Sequence, residues 1–472
     1  MYKHGAFADI MATKDFISPS GVGTLPVYFG TAPVNQLADS SDTVKKPILI
    51  QSFNDAKKKI GYSDSWDKYT LCEAIYAHFK NDIQPIGPIV VINGIDPSTH
   101  KTTGETDTIT MTNGVGYLDD EDAILSSIKI ADKTLGTDYL ASFTDDGIKV
   151  TITDLNGSLG ESVSITYDKI NLTNITASTI EELTSSVNMV YQTFNMIPTI
   201  LASPGWSSDK NVDIALKVAS DKINGHFFAF VNSDIDSSTT ITIEQAKIKK
   251  TTDDYTSNIE APCWPMGKKG DKKFHLSTLA TVTMQMVDFQ NGNIPSETPS
   301  NKPIDISSLC LADGKEIEYD QIGANDLNSK GIRTASFWGG RWVLWGPHTG
   351  EYEYAKDIDP KNIFDSSVRM LHYIANVFQL KYGILIDGPF SRAMKDTILN
   401  DMQEWLDNLI AQGKLLSGTI VFNELSNPTS DIVEGDFVFD ISSTTTPPGK
   451  SITAKITYTS SGLDVLFGGD GQ

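Results

Sequence analysis

With 472 residues the chain has length for roughly two to four domains, and its 39% hydrophobic content allows ordinary packed cores. Sixty acidic against 38 basic residues give a formal net charge of −22, which argues against nucleic-acid binding. The three cysteines, Cys72, Cys263 and Cys310, form neither a CxxC nor a zinc spacing, which argues against a disulfide framework and points to a reducing compartment.

Residues 1–25, with Gly5, Pro19, Gly21, Gly23 and no helical period, read as an extended arm. The stretch MYKHGAFADIMATKDF has no charged-then-apolar signal pattern, and the longest apolar run, IGPIVVINGI (86–95), is about half a membrane span. Cytoplasmic synthesis without membrane insertion is therefore expected. PVYFGTAP (26–33) and KKPILIQSF (45–53) each predict a short strand. SDSWDKYTLCEAIYAHFKN (63–81) carries Tyr69, Leu71, Cys72, Ile75, Tyr76 and Phe79 at helical spacing, and PIVVIN (88–93) reads as a strand buried on both faces. Strand, strand, helix, strand over 26–96 marks the beginning of an α/β layer.

From 97 to 177 the composition turns to Thr, Ser, Asp and Gly. Alternating runs such as Ile148/Val150/Ile152 and Val163/Ile165/Tyr167, with turns such as DDG (145–147) and NGS (156–158) between strands, predict an inserted all-β module. Helices are then expected over 178–196, with a Ser178–Glu181 capping box, and over 211–225, ending at Gly225. A buried strand is expected over 226–233 and a further helix over 274–292.

Two strong helical patterns follow, at 364–383 and at 389–413, the latter bounded by Pro389 and Gly413. On the second, Met394, Ile398, Met402, Trp405, Leu409 and Ile410 form one face, and Arg392, Lys395, Asp396, Asp401, Glu404 and Asp407 the other. FVFDI (437–441) predicts a strand, and SSTTTPPGK (442–450) a loop. In SITAKITYT (451–459), Ile452, Ala454, Ile456 and Tyr458 alternate with polar residues, the period of a half-buried strand.

No P-loop, GxGxxG, HExxH, EF-hand or GxSxG motif occurs, and the seven histidines lack ligand spacing. No catalytic, cofactor-binding or metal-binding residue is singled out, and a non-enzyme is expected. One stretch stands apart: DLNSKGIRTASFWGGRWVLWGPHTG (326–350) places three of the seven tryptophans, Trp338, Trp342 and Trp345, around a GG turn. It predicts a core hairpin, with an aromatic ligand platform as the sharper alternative.

That stretch resembles the segment of contractile-tail sheath proteins in which a Leu-Asn-x-x-Gly-Ile phrase precedes a hairpin. Leu327, Asn328, Gly331, Ile332, Trp345, Gly346 and Thr349 fit, whereas Pro347 and His348 depart from the family's Ala-Arg. HGAF near the start, FGTAP (29–33), APCWP (261–265) and LSGTIVFNELSNPTSDIVEGDFVFDI (416–441) resemble further landmarks of that family in the same order.

The resemblance implies an α+β and α/β multidomain chain with a subtilisin-like-topology core and an inserted β-sandwich-like module. A C-terminal α+β domain and extended terminal arms complete it. The corresponding division is 1–25 arm, 26–96 first part of the core, 97–177 insertion, 178–355 core, 356–449 C-terminal sheath domain and 450–472 arm strand. It implies a structural subunit that polymerises helically, in hexameric rings, around an inner tail tube and contracts to drive the tube through a target envelope. Such a subunit is made in a bacterial cytoplasm and assembled in a virion tail or phage-tail-like particle. The implied partners are other copies of the chain, the tube protein, and baseplate and tail terminator proteins, with no cofactor, nucleic acid or membrane.

The inter-subunit arm strands so implied hold Ala6, Phe7, Ala8 and Ile10 at one end and Ile452, Ala454, Ile456 and Tyr458 at the other. Arg392, Lys395 and Asp396 are the tube-facing candidates. A secreted adhesin or a carbohydrate-active protein with a β-rich auxiliary domain is the alternative.

Overall fold

PVYFG folds as strand β1 (Pro26–Gly30), buried at every position, in a computed structural model that describes residues 23–467. It is followed by β2 (Pro47–Ile50), α1 (Phe53–Ile60), α2 (Leu71–Phe79) and the equally buried β3 (Ile89–Asn93). The helix expected from residue 63 begins only at Leu71. Thr31 interrupts it: its Oγ1 accepts from Thr70 N at 3.0 Å and its carbonyl from Leu71 N at 3.0 Å.

The Thr-rich stretch forms β4 (Lys101–Thr110), β5 (Val115–Leu118), β6 (Lys129–Ile130), β7 (Tyr139–Phe143), β8 (Val150–Asp154) and β9 (Ser162–Ile170). These pair as two antiparallel three-stranded sheets, β4-β9-β6 and β5-β8-β7. Ile109, Leu118, Val150, Ile152 and Ile165 fill a core of their own, separate from that of the α/β layer. The alternation read from the sequence is thus the alternation of inward and outward faces.

Then come α3 (Ala177–Thr184), α4 (Asn188–Phe194), β10 (Ile200–Ala202), α5 (Lys210–Ser220), β11 (Phe230–Asp234), α6 (Ile243–Thr252) and β12 (Glu260–Cys263). The capping box belongs to Thr176 and Thr179 rather than to Ser178 and Glu181, so the helix starts one residue before the expected position. One 3-10 turn over 185–187 splits the expected 178–196 helix. The helix expected to reach Gly225 stops at Ser220, and Gly225 lies in the turn that follows.

Six strands form the central sheet, in the order β12-β11-β10-β1-β3-β2, all parallel except for antiparallel β2. Helices on both faces explain why its strands read as continuous apolar runs. These are α3 and α5 on one side and, on the other, α2 with α7 (Leu276–Gln290), which follows the ribbon of β13 (Met266–Lys269) and β14 (Lys272–His275). The helix expected from 274 therefore begins at Leu276, after a strand. Every residue of α7 from Leu276 to Asp288 is buried.

After β15 (Ser308–Cys310), β16 (Glu316–Ile317) and α8 (Gln321–Ser329), the expected hairpin appears as β17 (Thr334–Trp338) and β18 (Arg341–Trp345). Gly339 and Gly340 both take positive φ, +60° and +80°, as a two-residue turn between twisted strands requires. Leu327 and Ile332 pack with Trp264 in a buried cluster. With its amide turned so that both ends find partners, Asn328 donates to Ile332 O at 2.8 Å and to Trp345 O at 3.1 Å. Gly331 has φ +70°, and a Cβ there would lie 2.5 Å from Thr349 O. The family-like motif is thus one structural knot. The hairpin tip departs from the core reading, because Phe337 and Trp338 are more than half exposed.

The remaining elements are α9 (Asp365–Tyr382), α10 (Arg392–Ala411), β19 (Leu415–Val421), α11 (Thr429–Glu434) and β20 (Asp440–Thr445). Among the described residues no helix is long and apolar enough to cross a membrane.

Candidate assembly interface

α10 begins where Ser391 Oγ accepts from Met394 N at 3.2 Å, two residues after Pro389. Ile398, Met402, Leu406 and Leu409 are its buried residues, and the last three pack with Met370 and Ile374 of α9 and with Leu415 and Ile420 of β19. Leu406 extends the face read from the sequence. β19 and β20 pair antiparallel as a two-stranded ribbon, with Ile420 opposite Ile441 and Gly418 opposite Ser443.

The strand expected at 437–441 starts only at Asp440. Asn427 holds Val438 at both backbone groups, at 2.8 Å each, and Phe437 stacks on Phe390 with 3.8 Å between centroids.

Two strands give a ribbon two edges, each carrying outward N–H and C=O groups. On β20 these belong to Ile441 and Ser443, and they meet no hydrogen-bond partner among the described residues. Beyond β20 the chain passes through Pro447 and Pro448, which have no N–H to donate. Lys450 Nζ then donates to the Tyr352 hydroxyl at 3.3 Å, carrying the segment away from the ribbon.

Among the described residues, 451–459 join no sheet. Ile452, Ile456 and Tyr458 are 93%, 94% and 82% exposed, and Ala454 is exposed with them. An apolar alternation fully in solvent is the reverse of what such a pattern does when it finds a sheet. Ala6, Phe7, Ala8 and Ile10 lie outside the described residues.

Arg392, Lys395 and Asp396 come together at the first turn of α10. Lys395 Nζ lies 2.8 Å and Arg392 Nε 3.8 Å from the Asp396 carboxylate. The hydrogen bond from Lys395 holds the Asp396 carboxyl below its usual range. Lys395 also sits 6.0 Å from the centroid of Phe422. Sequence reading missed the exposed apolar side chains of the same unit, Ile384, Ile386, Leu425 and Val433. Ile386 and Leu425 lie in turns, Ile384 in a 3-10 turn and Val433 in the short helix α11, stretches too brief to carry a period.

A second feature missed by sequence lies at the carboxyl ends of the parallel strands. A cleft of about 530 Å³ there is lined by Glu73, Asp234 and His275 among others. His275 Nδ1 lies 2.7 Å from Glu73 Oε2, and the His275 backbone N–H donates to Glu73 Oε1 at 2.7 Å. Burial opposes the charged imidazole, but the carboxylate of Glu73 outweighs it and raises the His275 pKa to about 9. Ser207 Oγ donates to Asp234 Oδ2 at 3.2 Å, and Ser277 Oγ donates to the same oxygen. Both hydroxyls thus point at a carboxylate, and neither is hydrogen-bonded to the imidazole, which a serine nucleophile would need as its base. Glu73 and His275 are 202 residues apart, so spacing offered no signal for the pair.

The chain superposes on contractile sheath structures along nearly its whole length, and this shared mixed α+β, multidomain fold is that of sheath proteins. A chain of the anti-feeding prophage baseplate matches with TM-score 0.59, at 14% identity over 96% of this chain and 98% of that one. A chain of the PVC extracellular contractile injection system sheath complex, in its contracted state, matches with TM-score 0.58, at 13% identity over 97% and 99%. The sheath tail protein of Desulfitobacterium hafniense matches with TM-score 0.53, at 10% identity over 88% and 93%.

In sequence, the chain is 22% identical over 477 residues to the tail sheath protein of Burkholderia phage BcepMu, covering 95% of this chain and 94% of that one. No family model matches. The resemblance to contractile-tail sheath proteins drawn from the motifs is borne out.

Proposed function

We propose that this chain is the structural subunit of a contractile tail sheath, polymerising helically around an inner tube and contracting to drive that tube through a target envelope. One observation carries the reading: an open-edged ribbon and an exposed, unpaired strand-patterned segment occur in the same molecule. Between copies they complete each other by β-augmentation. A heterologous contact of this kind that does not close on itself builds a tube. Flexible joints then keep subunits connected while their cores slide and rotate between two lattices.

The central layer is the subtilisin-like-topology core, used as a scaffold and not for catalysis. Residues 26–96 and 178–355 compose it, 97–177 form an outward insertion, and 356–449 supply the joint. The segments 1–25 and 450–472 are the arms. The Arg392–Lys395–Asp396 end of α10 faces the tube. Its ion pairs are exposed and individually weak, which suits a contact that must be released. Sheath copies in hexameric rings, tube protein, baseplate and terminator proteins are the partners. Assembly follows synthesis in the bacterial cytoplasm.

Negative-stain imaging of the purified full chain tests this. Striated tubes are expected, and a strictly monomeric protein at every concentration would overturn it. Charge reversal at Arg392 and Lys395 is expected to abolish co-assembly with tube protein and to leave sheath tubes intact. Unchanged co-assembly would move the tube contact elsewhere.

A further inference from the structure

The β17–β18 hairpin carries more aromatic surface than its packing uses. Trp338 is 53% exposed at its tip, and the ring of half-buried Trp345 on β18 lies 6.5 Å from it, inclined at 44°. Both border a cleft of about 750 Å³, a volume suited to a small organic ligand. Tyr352 and Tyr354 line it too. Tyr354 is 72% exposed, and Tyr352 is held in a stack on His348 with 3.4 Å between centroids. Aromatic faces gathered in a concavity, outside the packed core, mark a binding surface. The polar groups of the cleft are chiefly amides. Gln321, Asn325 and Asn328 stand at i, i+4 and i+7 of α8, so all three share the face that borders it. Asn325 Oδ1 accepts from Trp345 Nε1 at 3.0 Å, which fixes that ring. The side-chain amides of Gln321 and of Asn301 across the cleft meet no hydrogen-bond partner among the described residues. Little charge is on offer: Glu297 pairs with Lys302, and Lys450 Nζ donates to the Tyr352 hydroxyl at 3.3 Å.

We propose that this cleft binds a short neutral oligosaccharide, with Trp338 and Tyr354 as stacking faces and the amides of Gln321, Asn325 and Asn301 as hydroxyl partners. A pyranose ring has an apolar C–H face that packs on an aromatic ring. Its hydroxyls both donate and accept, as the two ends of a carboxamide do. A proline-rich peptide also docks on aromatic grooves, but it offers few groups to a row of free amides, whereas a sugar offers one at nearly every carbon. The near-neutral lining favours an uncharged ligand over an anionic one. The site binds and does not cleave. Glycoside hydrolysis takes two carboxyl groups flanking the bond, and among the described residues Glu297 is the only carboxylate that lines the cleft. This activity is separate from assembly and does not depend on how copies of the chain join.

Titration of the full chain with chitotetraose, cellotetraose and maltotetraose tests this, read by tryptophan fluorescence and by ligand-observed NMR. At least one of them is expected to bind with a Kd of about 1 mM or tighter. Trp338→Ala and Tyr354→Ala, both at exposed positions, are each expected to weaken that binding about tenfold by removing a stacking face. Gln321→Ala is expected to weaken it about threefold. Tyr117→Ala, which removes a comparably exposed ring from the β-rich insertion, is expected to change nothing. Binding that survives both Trp338→Ala and Tyr354→Ala would place the sugar elsewhere and overturn the assignment. Absence of binding by all three probes at about 10 mM would overturn it as well. A proline-rich peptide that binds where no sugar competes would make the cleft a peptide groove and overturn the saccharide. Release of shorter saccharides on incubation would overturn the non-cleaving site.

Discussion

The guanidinium of Arg333 pairs with the carboxylate of Asp365, and both side chains are fully buried. Arg333 also donates through Nε to Gly346 O at 3.1 Å and through Nη1 to Asn232 Oδ1 at 3.0 Å. It thereby ties the end of the motif knot to the central sheet and to the first turn of α9. A second buried pair, Arg369 with Asp288, bolts α9 to the central helix α7. The unit that carries the ribbon is therefore fixed to the α/β layer through charges that water does not screen.

Breaking one partner of such a pair leaves the other buried and uncompensated. Arg333→Met is expected to destabilise the chain by about 3–5 kcal/mol, and Arg333→Met with Asp365→Leu to recover much of that loss. Chemical denaturation of both variants measures it. A single variant as stable as the parent would show that the pair holds nothing together.

His275 gives a pH dependence with a definite sign. Its folded pKa, raised to about 9, lies above the unfolded value of about 6.5. The folded state thus binds the proton more tightly. The stability this contributes is complete below about pH 6.5 and is lost as pH rises through about 9. Comparing thermal unfolding of the parent and His275→Asn from pH 6 to 10 isolates this term. The parent is expected to lose its advantage across that window, and parallel curves would refute it.

The β-rich insertion is joined to the layer by polar contacts and by Ile124 and Ile170, which are buried in the layer's own core. Buried Asn35 donates to Glu121 O and Ala123 O at 3.0 Å each, and Lys68 pairs with Glu121 and Asp122. The two ends of the insertion meet where Asn171 N donates to His100 O at 3.0 Å, so a short linker can bridge them. Replacing residues 101–170 with a Gly/Ser linker is expected to leave a folded chain that still assembles. The unpaired Asn35 alone would weaken it by about 1–3 kcal/mol, and the loss of buried Ile124 and Ile170 adds to that. A soluble, folded deletion variant that forms no tubes would show that the insertion takes part in the lattice.

Periodicity made the long elements legible. β3 and the helices α9 and α10 stand close to where apolar spacing placed them, whereas β11 begins at Phe230, four residues after the expected start, because His226 and Phe227 close a turn onto Ile223. Boundaries slipped where side chains overrode the period: Thr31 and Thr70 ahead of α2, Thr176 and Thr179 at α3, Asn427 before β20. The motif LNSKGIRT pointed to the family, but its Arg333, which meets Asp365 only through the fold, was not read as a buried ion. Gln403, whose amide donates to Gly418 O and accepts from Ile420 N of β19, was illegible for the same reason. A glutamine on the polar side of an amphipathic helix looks solvated until a strand edge is seen beneath it.

The exposed segment 451–459 yields the sharpest test of assembly. Ile456 is 94% exposed and meets no sheet among the described residues, so Ile456→Pro removes no hydrogen bond that these residues make in the isolated subunit. Its thermal unfolding is expected to match the parent's. On a partner's β20 the same residue would sit in mid-strand, where proline deletes a ladder donor and bends the chain. Each lost bond costs about 0.5–1.5 kcal/mol, repeated at every joint of a tube. Ile456→Pro is therefore expected to give a soluble, normally folded chain that forms no tubes at concentrations where the parent does. Sedimentation and imaging read the outcome. Tubes as abundant as the parent's would mean that this segment is not the joint.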